Sequence, residues 1–154
     1  MFKRIVILIV IFLNAFTLFA RINETLDECR KRYGDCVHVE NGIFFFIKGG
    51  FMIGIQFYDS KADLISFKKI EKDTLGISKE LTTNEKKILL DNNLGENWSK
   101  MSIVSIDEYY QSNDGGIYAS YSTFEHLLTI VTADHVTRQK TSDEEKEKQQ
   151  MEGM

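Results

Sequence analysis

Beyond residue 20 the chain changes hydrophobic period several times, and each change marks an element. Thr25-Leu26-Asp27-Glu28 has the spacing of a capping box: the threonine hydroxyl accepts from a backbone N–H three residues on, and the glutamate carboxylate reaches back. Leu26, Cys29 and Tyr33 recur at helical spacing. Acids lie early, Arg30, Lys31 and Arg32 lie late as the helix dipole favours, and Gly34 supplies a left-handed stop, so a helix of about two turns is predicted. The period then shortens to two. Residues 43–47, the Gly49-Gly50 pair and residues 51–58, with Phe51, Ile53, Ile55 and Phe57 on one face, read as a hairpin on a two-glycine turn. A polar turn over 59–63 and a third strand over 64–70 complete the unit.

The second half follows a similar order. Thr82-Thr83-Asn84-Glu85 is a second capping box, Ile88, Leu89, Leu90 and Leu94 are its apolar positions, and Gly95 stands at the helix end. Strands are predicted over 103–111, 117–124 and 127–133, with Gly115-Gly116 at a hairpin turn. The expected fold is α+β, helix packed on antiparallel sheet, in tandem αβββ units with about six strands and two helices. One α+β domain would span 21–137, with pseudo-repeats 21–72 and 79–137. One continuous sheet and two small ones both satisfy this pattern. Residues 138–154 are rich in Glu, Lys and Gln and almost free of core-forming side chains, so they are expected to form a disordered charged tail or a frayed helix, or a helix that folds on contact with a partner.

Residues 1–20, MFKRIVILIVIFLNAFTLFA, have a basic start, an apolar stretch and small or neutral residues up to Ala20, the layout of a signal peptide. An uncleaved anchor is the alternative, but Asn14 and Thr17 interrupt a span that needs about 20 apolar residues. The protein is therefore expected to be secreted or periplasmic, touching membrane only through this segment if it stays uncleaved. Cys29 and Cys36 both follow it and would meet an oxidising compartment together, so a Cys29–Cys36 disulfide is expected.

Charge and motif content narrow the function. Without Lys3 and Arg4 the balance is 17 basic against 23 acidic residues, which argues against a nucleic-acid partner. His38, His126 and His135 show no metal-ligand spacing, and neither a nucleophile elbow nor a phosphate loop is present, so no catalytic residue, metal or cofactor is assigned and the protein is expected not to be an enzyme. In Asp134-His135 neighbouring side chains of an extended chain point apart, which favours an exposed pair. Asn23-Glu24-Thr25 and Asn97-Trp98-Ser99 are formal glycosylation acceptors, relevant in a eukaryotic host. Tyr58, Tyr109, Tyr110, Tyr118 and Tyr121, with Trp98, gather on or beside the predicted strands. An aromatic ring with one wet end suits a binding face, and Tyr109, Tyr118 and Tyr121 are the candidate contacts for an unidentified protein partner. The competing reading is a small-ligand carrier or hydrolase with a cleft between the two units, using His126 or His135.

The helix ending Arg32-Tyr33-Gly34, the apolar stretch 43–47 and the run Ile53-Gly54-Ile55-Gln56-Phe57-Tyr58-Asp59-Ser60-Lys61 resemble small exported α+β proteins of bacterial envelopes. They are similar to the BamE-type (SmpA/OmlA) family and the β-lactamase-inhibitor-like fold. The resemblance implies action by gripping another protein with a sheet face or an edge strand, without catalysis.

Overall fold

The first two helices start from their capping boxes. The Thr25 hydroxyl accepts from the Glu28 N–H at 3.3 Å, and the Glu28 carboxylate accepts from the Thr25 N–H at 2.7 Å, opening α1 (Leu26–Tyr33). Thr82 and Glu85 exchange the same two bonds, at 3.2 and 2.7 Å, to open α2 (Thr83–Leu94). Gly34 and Gly95 follow at φ +89° and +80°, where a side chain would be strained. The computed structural model describes residues 21–95 and 97–152, so the leader read from residues 1–20 lies outside the described residues.

Eight strands follow the two helices: β1 (His38–Glu40), β2 (Ile43–Lys48), β3 (Phe51–Tyr58) and β4 (Lys61–Lys69) after α1, then β5 (Trp98–Lys100), β6 (Glu108–Ser112), β7 (Ile117–Ser122) and β8 (Leu127–Thr132) after α2. They form one antiparallel sheet in the order β1-β2-β3-β4-β8-β7-β6-β5. Each half is thus a helix followed by a four-stranded meander, and the meanders join edge to edge at β4 and β8. The expectation of about six strands and two helices is corrected, among the described residues, to eight strands and three helices. Three-residue β1 and β5 are too short to carry a period of their own; they are held by the register of their neighbours, His38 opposite Phe45 and Lys100 opposite Tyr110.

Other boundaries move for local reasons. Asp59 and Ser60 both take positive φ and form a two-residue turn without glycine, so β4 begins at Lys61. The strand predicted from residue 103 starts at Glu108 instead. Ile103, Val104 and Ile106 are exposed in a loop whose Asp107 carboxylate accepts from the Thr123 N–H at 3.0 Å. The third helix, α3 (Ala133–Glu152), takes in residues 138–152 of the expected tail in helical form. Its outer turns bury nothing but are laced by Lys140–Glu144 and Lys146–Asp143 ion pairs one turn apart, which support a solvated helix.

The core lies on one face of the sheet, beneath α1 and α2. Two rows of inward side chains cross the strands: Phe46, Ile53, Phe67, Leu128 and Tyr121, then Phe44, Ile55, Ile65, Ile130, Ala119 and Tyr110. Cys29 and Tyr33 of α1 and Leu89, Leu90 and Leu94 of α2 close over them, with the Tyr33 ring 5.7 Å from that of Phe46. The expected Cys29–Cys36 disulfide is not formed. Cys29 points into this core, where burial pushes its thiol up to about 12, while Cys36 lies beyond the helix end and donates its S–H to the His38 carbonyl at 2.9 Å.

Candidate functional site

Sheet register decides what the predicted tyrosines can do. Tyr109 and Tyr118 lie on the face opposite the helices, in adjacent rows, half-buried against their neighbours, and the Gln111 amide donates to the Tyr118 hydroxyl at 3.3 Å. Tyr121 belongs to the other face. It is 3% exposed, its hydroxyl accepts from the Leu81 N–H at 3.2 Å, and the Lys86 ammonium stands 4.4 Å from its ring centre. Tyr121 is therefore a core residue, and Tyr110 and Trp98, 5.3 Å apart edge to face, belong to the same helix-covered side. Tyr58 lies at the end of β3, exposed.

The face bearing Tyr109 and Tyr118 runs across the whole sheet. One row passes through Phe45, Gly54, Ser66, Thr129, Ser120 and Tyr109, and the next through Ile43, Gln56, Leu64, Val131, Tyr118 and Gln111. Charged residues make up 27% of the chain, yet these two rows hold no charged side chain between β2 and β6; charge lies around them, at Glu40 opposite Ile43, Lys61 opposite Tyr58 and Lys68 opposite Met52. Depletion of charge around aromatic and small polar side chains is the signature of the central part of a protein interface.

A second cluster sits where the two meanders meet. Between the pairs Gln56–Leu64 and Phe57–Ala62 the register slips, leaving Asp63 as the extra residue of a bulge in β4. Its carboxylate is buried. One oxygen accepts from the Thr132 hydroxyl at 2.5 Å, and the other from His135 Nδ1 at 2.6 Å and from the Arg138 guanidinium. Thr132 also accepts from the His135 N–H at 3.0 Å, so one hydroxyl caps α3 and fixes Asp63. His135 and Arg138, three apart on α3, share a face. The Arg138 guanidinium lies over the Tyr58 ring, 3.7 Å from its centre. Burial works against the charge on Asp63, but the bonds from Thr132, Arg138 and His135 outweigh it and hold the carboxyl below its ordinary range.

His135 is thus not half of an exposed pair with Asp134. It is 5% exposed, its partner is 72 residues away in sequence, and its Nε2 is buried without a hydrogen-bond partner. His126 does not join it: the two lie at opposite ends of β8, and His126 pairs with the Ser78 carbonyl and approaches Glu80 at 3.6 Å. His38 is exposed beside Glu40. Sequence reasoning missed Asp63 and Arg138. Their signal was weak: a lone acid at the end of a polar turn, and a His and an Arg at helical spacing across the boundary between the expected domain and the expected tail. Among the described residues no group of three or more His, Cys, Asp or Glu is placed to hold a metal ion, and no helix is long and apolar enough to cross a membrane.

Among the described residues these features define an α+β protein in which α1 and α2 cover one face of an eight-stranded antiparallel sheet, while α3 passes beside Gln56 and Tyr58 at the margin of the other, which is otherwise open. No family model matches the chain, and no curated protein does. A cysteine-rich secretory protein from Staphylococcus aureus subsp. aureus Mu50 is among the solved structures similar to it, at 8% identity and a TM-score of 0.41. The match covers 75% of this chain and 46% of that one, so the chain spans about half the length of that structure.

Proposed function

We propose that the protein is an exported, non-catalytic interaction module that binds a protein partner on the open sheet face, with Tyr109 and Tyr118 as its aromatic contacts. The observation that carries this reading is the absence of charge from the two central rows of that face, between Glu40, Lys61 and Lys68 at its margins, in a chain otherwise rich in charge. A lipid surface is a poorer fit, because the polar side chains of Ser120, Thr129 and Gln56 would be buried in hydrocarbon. A protein supplies those partners, and Tyr side chains contribute large contact area at low entropy cost.

The test is capture of a partner by the native protein and by a Tyr109→Ala, Tyr118→Ala variant, with thermal unfolding of both as a control. Both side chains are half-solvated, so the variant is expected to fold. A stoichiometric protein bound by the native chain and lost from the variant supports the reading, and cross-links should fall on outward positions of β6, β7 and β8. Equal capture by both, or cross-links confined to the helices, overturns it.

A further inference from the structure

The most exposed apolar side chains of the described residues gather at one end of the sheet. Leu75, Val104, Ile106 and Phe124 are each at least 80% exposed, more than any other large apolar side chain described. They belong to three separate loops: residues 70–81 after β4, 101–107 before β6, and 123–126 between β7 and β8. The antiparallel order brings all three to the same end, since Phe67 pairs with Leu128 and Glu108 with Tyr121. Two contacts hold the loops side by side: the Asp107 carboxylate accepts from the Thr123 N–H at 3.0 Å, and His126 Nδ1 meets the Ser78 carbonyl. Residues 1–20 do not join the fold here, because the Asn23 N–H bonds the Ala62 carbonyl at the opposite end of β4.

Clustered apolar tips of this kind mark a surface that is covered in use. Their shape and chemistry select the cover. None of the four lines the hollows beside Phe44, Asp63 or Trp98, so they project and enclose nothing there. A protein would have to supply a matching pocket for each projecting side chain, whereas a fluid bilayer conforms to all of them. Hydrocarbon also demands that loop backbone be paired internally. The Asp73 carboxylate accepts from the Leu75 and Ile77 N–H groups at 2.9 Å each, the Asp73 N–H bonds the Ile77 carbonyl at 2.8 Å, and the Ile103 N–H bonds the Met101 carbonyl at 3.0 Å. Charge at this end is offset locally: Lys69 pairs with Glu85, Lys100 with Glu108 and Lys79 with Glu71, while exposed Lys72 and Glu125 bring one charge of each sign. With no basic excess in these pairs and an acidic chain overall, anionic lipid is not selected. We propose that this end of the sheet inserts Leu75, Val104, Ile106 and Phe124 into a zwitterionic lipid surface, leaving the open sheet face free for its protein partner.

The experiment incubates the full chain with phosphatidylcholine vesicles that carry a photoactivatable acyl chain, and maps the labelled residues by mass spectrometry. Labels are expected within 73–77, 103–106 and at Phe124, unchanged by added salt or by anionic lipid. A Val104→Ser, Phe124→Ser variant should label Leu75 about tenfold less or weaker still, because two of the four insertions are gone. Both side chains are solvent-exposed, and thermal unfolding checks that the variant keeps the native fold. Tyr109→Ala, Tyr118→Ala should label as the native chain does, which separates this surface from the one proposed for the protein partner. Labels absent from the three loops, confined to residues 1–20 or spread over the open face overturn the proposal. So do native labelling of Leu75 in the tip variant, and labelling that requires anionic lipid and vanishes in salt. If the variant does not fold, the label map of the native chain decides alone.

Discussion

Replacing Glu108 by glutamine removes a charge that three groups share while keeping the side chain's shape. The carboxylate accepts from Lys86 at 2.7 Å, Lys100 at 3.1 Å and the Tyr110 hydroxyl at 2.5 Å, tying α2 to β5 and β6. Burial opposes the charge, but the bonds from Lys86, Tyr110 and Lys100 prevail, so the carboxyl titrates at about 2 against an ordinary 4.5. At about 1.4 kcal/mol per unit, that depression corresponds to about 3 kcal/mol of folding stability. The side chain is 24% exposed, so screening removes only part of this. Because the folded value is depressed, the stabilisation is complete above about pH 4.5 and is lost as pH falls toward 2. Urea unfolding of the native protein and Glu108→Gln should therefore differ by about 2–3 kcal/mol at pH 7, with the gap closing between pH 4.5 and 2. Asp63, Glu85 and Asp91 are also depressed but titrate in both proteins and cancel in the difference. A gap that is absent at pH 7, or that persists unchanged at pH 2, refutes the reasoning.

Three further outcomes check the packing. Tyr121→Phe deletes the acceptor of the buried Leu81 N–H and should destabilise by about 1–3 kcal/mol in urea, without the loss of partner capture expected for Tyr109 and Tyr118. Gly54→Ala brings a Cβ to 2.7 Å from Ser66 Oγ and 3.2 Å from Ile43 Cγ2, so a loss of about 1–3 kcal/mol is expected by thermal unfolding; an unchanged stability would show that Ser66 gives way freely. Alkylation of the native protein followed by mass analysis should label Cys36 and spare Cys29 until denaturant is added. Equal labelling rates would contradict the burial of Cys29.

What the sequence made legible was local. Thr25 with Glu28 and Thr82 with Glu85 announce the helix starts because both partners of each bond lie within four residues. The alternation of Phe51, Ile53 and Ile55 announces β3 for the same reason. The features that were missed depend on distant pairing. Nothing near Asp63 reveals the bulge, which exists only relative to Gln56 and Phe57 across the hairpin, and nothing near His135 names a carboxylate 72 residues earlier. The face of Tyr121 was likewise hidden, since it is the pairing with Glu108 and Leu128 that turns the ring beneath α2. Half of the candidate face was legible, as Tyr109 and Tyr118, and the site at Asp63 was not.

The edges of the sheet also bear on how a partner can be held. An edge strand recruits another strand only if it offers a run of unpaired backbone groups. Here both edges are three residues long, and β1 carries the exposed imidazole of His38 and carboxylate of Glu40, while β5 ends at Lys100 in a salt bridge with Glu108. Short, charged edges blunt strand addition, as natural sheets do to avoid aggregation. The longer central strands, β3 and β4, have both edges paired, β4 being sealed against β8 by four residue pairs. For the proposed binding role, short charged edges disfavour backbone addition as the mode of capture. What is left to recognise is side-chain chemistry on the open face, where the joined meanders present one surface twice as wide as either could alone. A binding reaction on that face should respond to substitutions on both β2 and β7, while lengthening β1 or β5 should promote self-association and leave partner affinity unchanged.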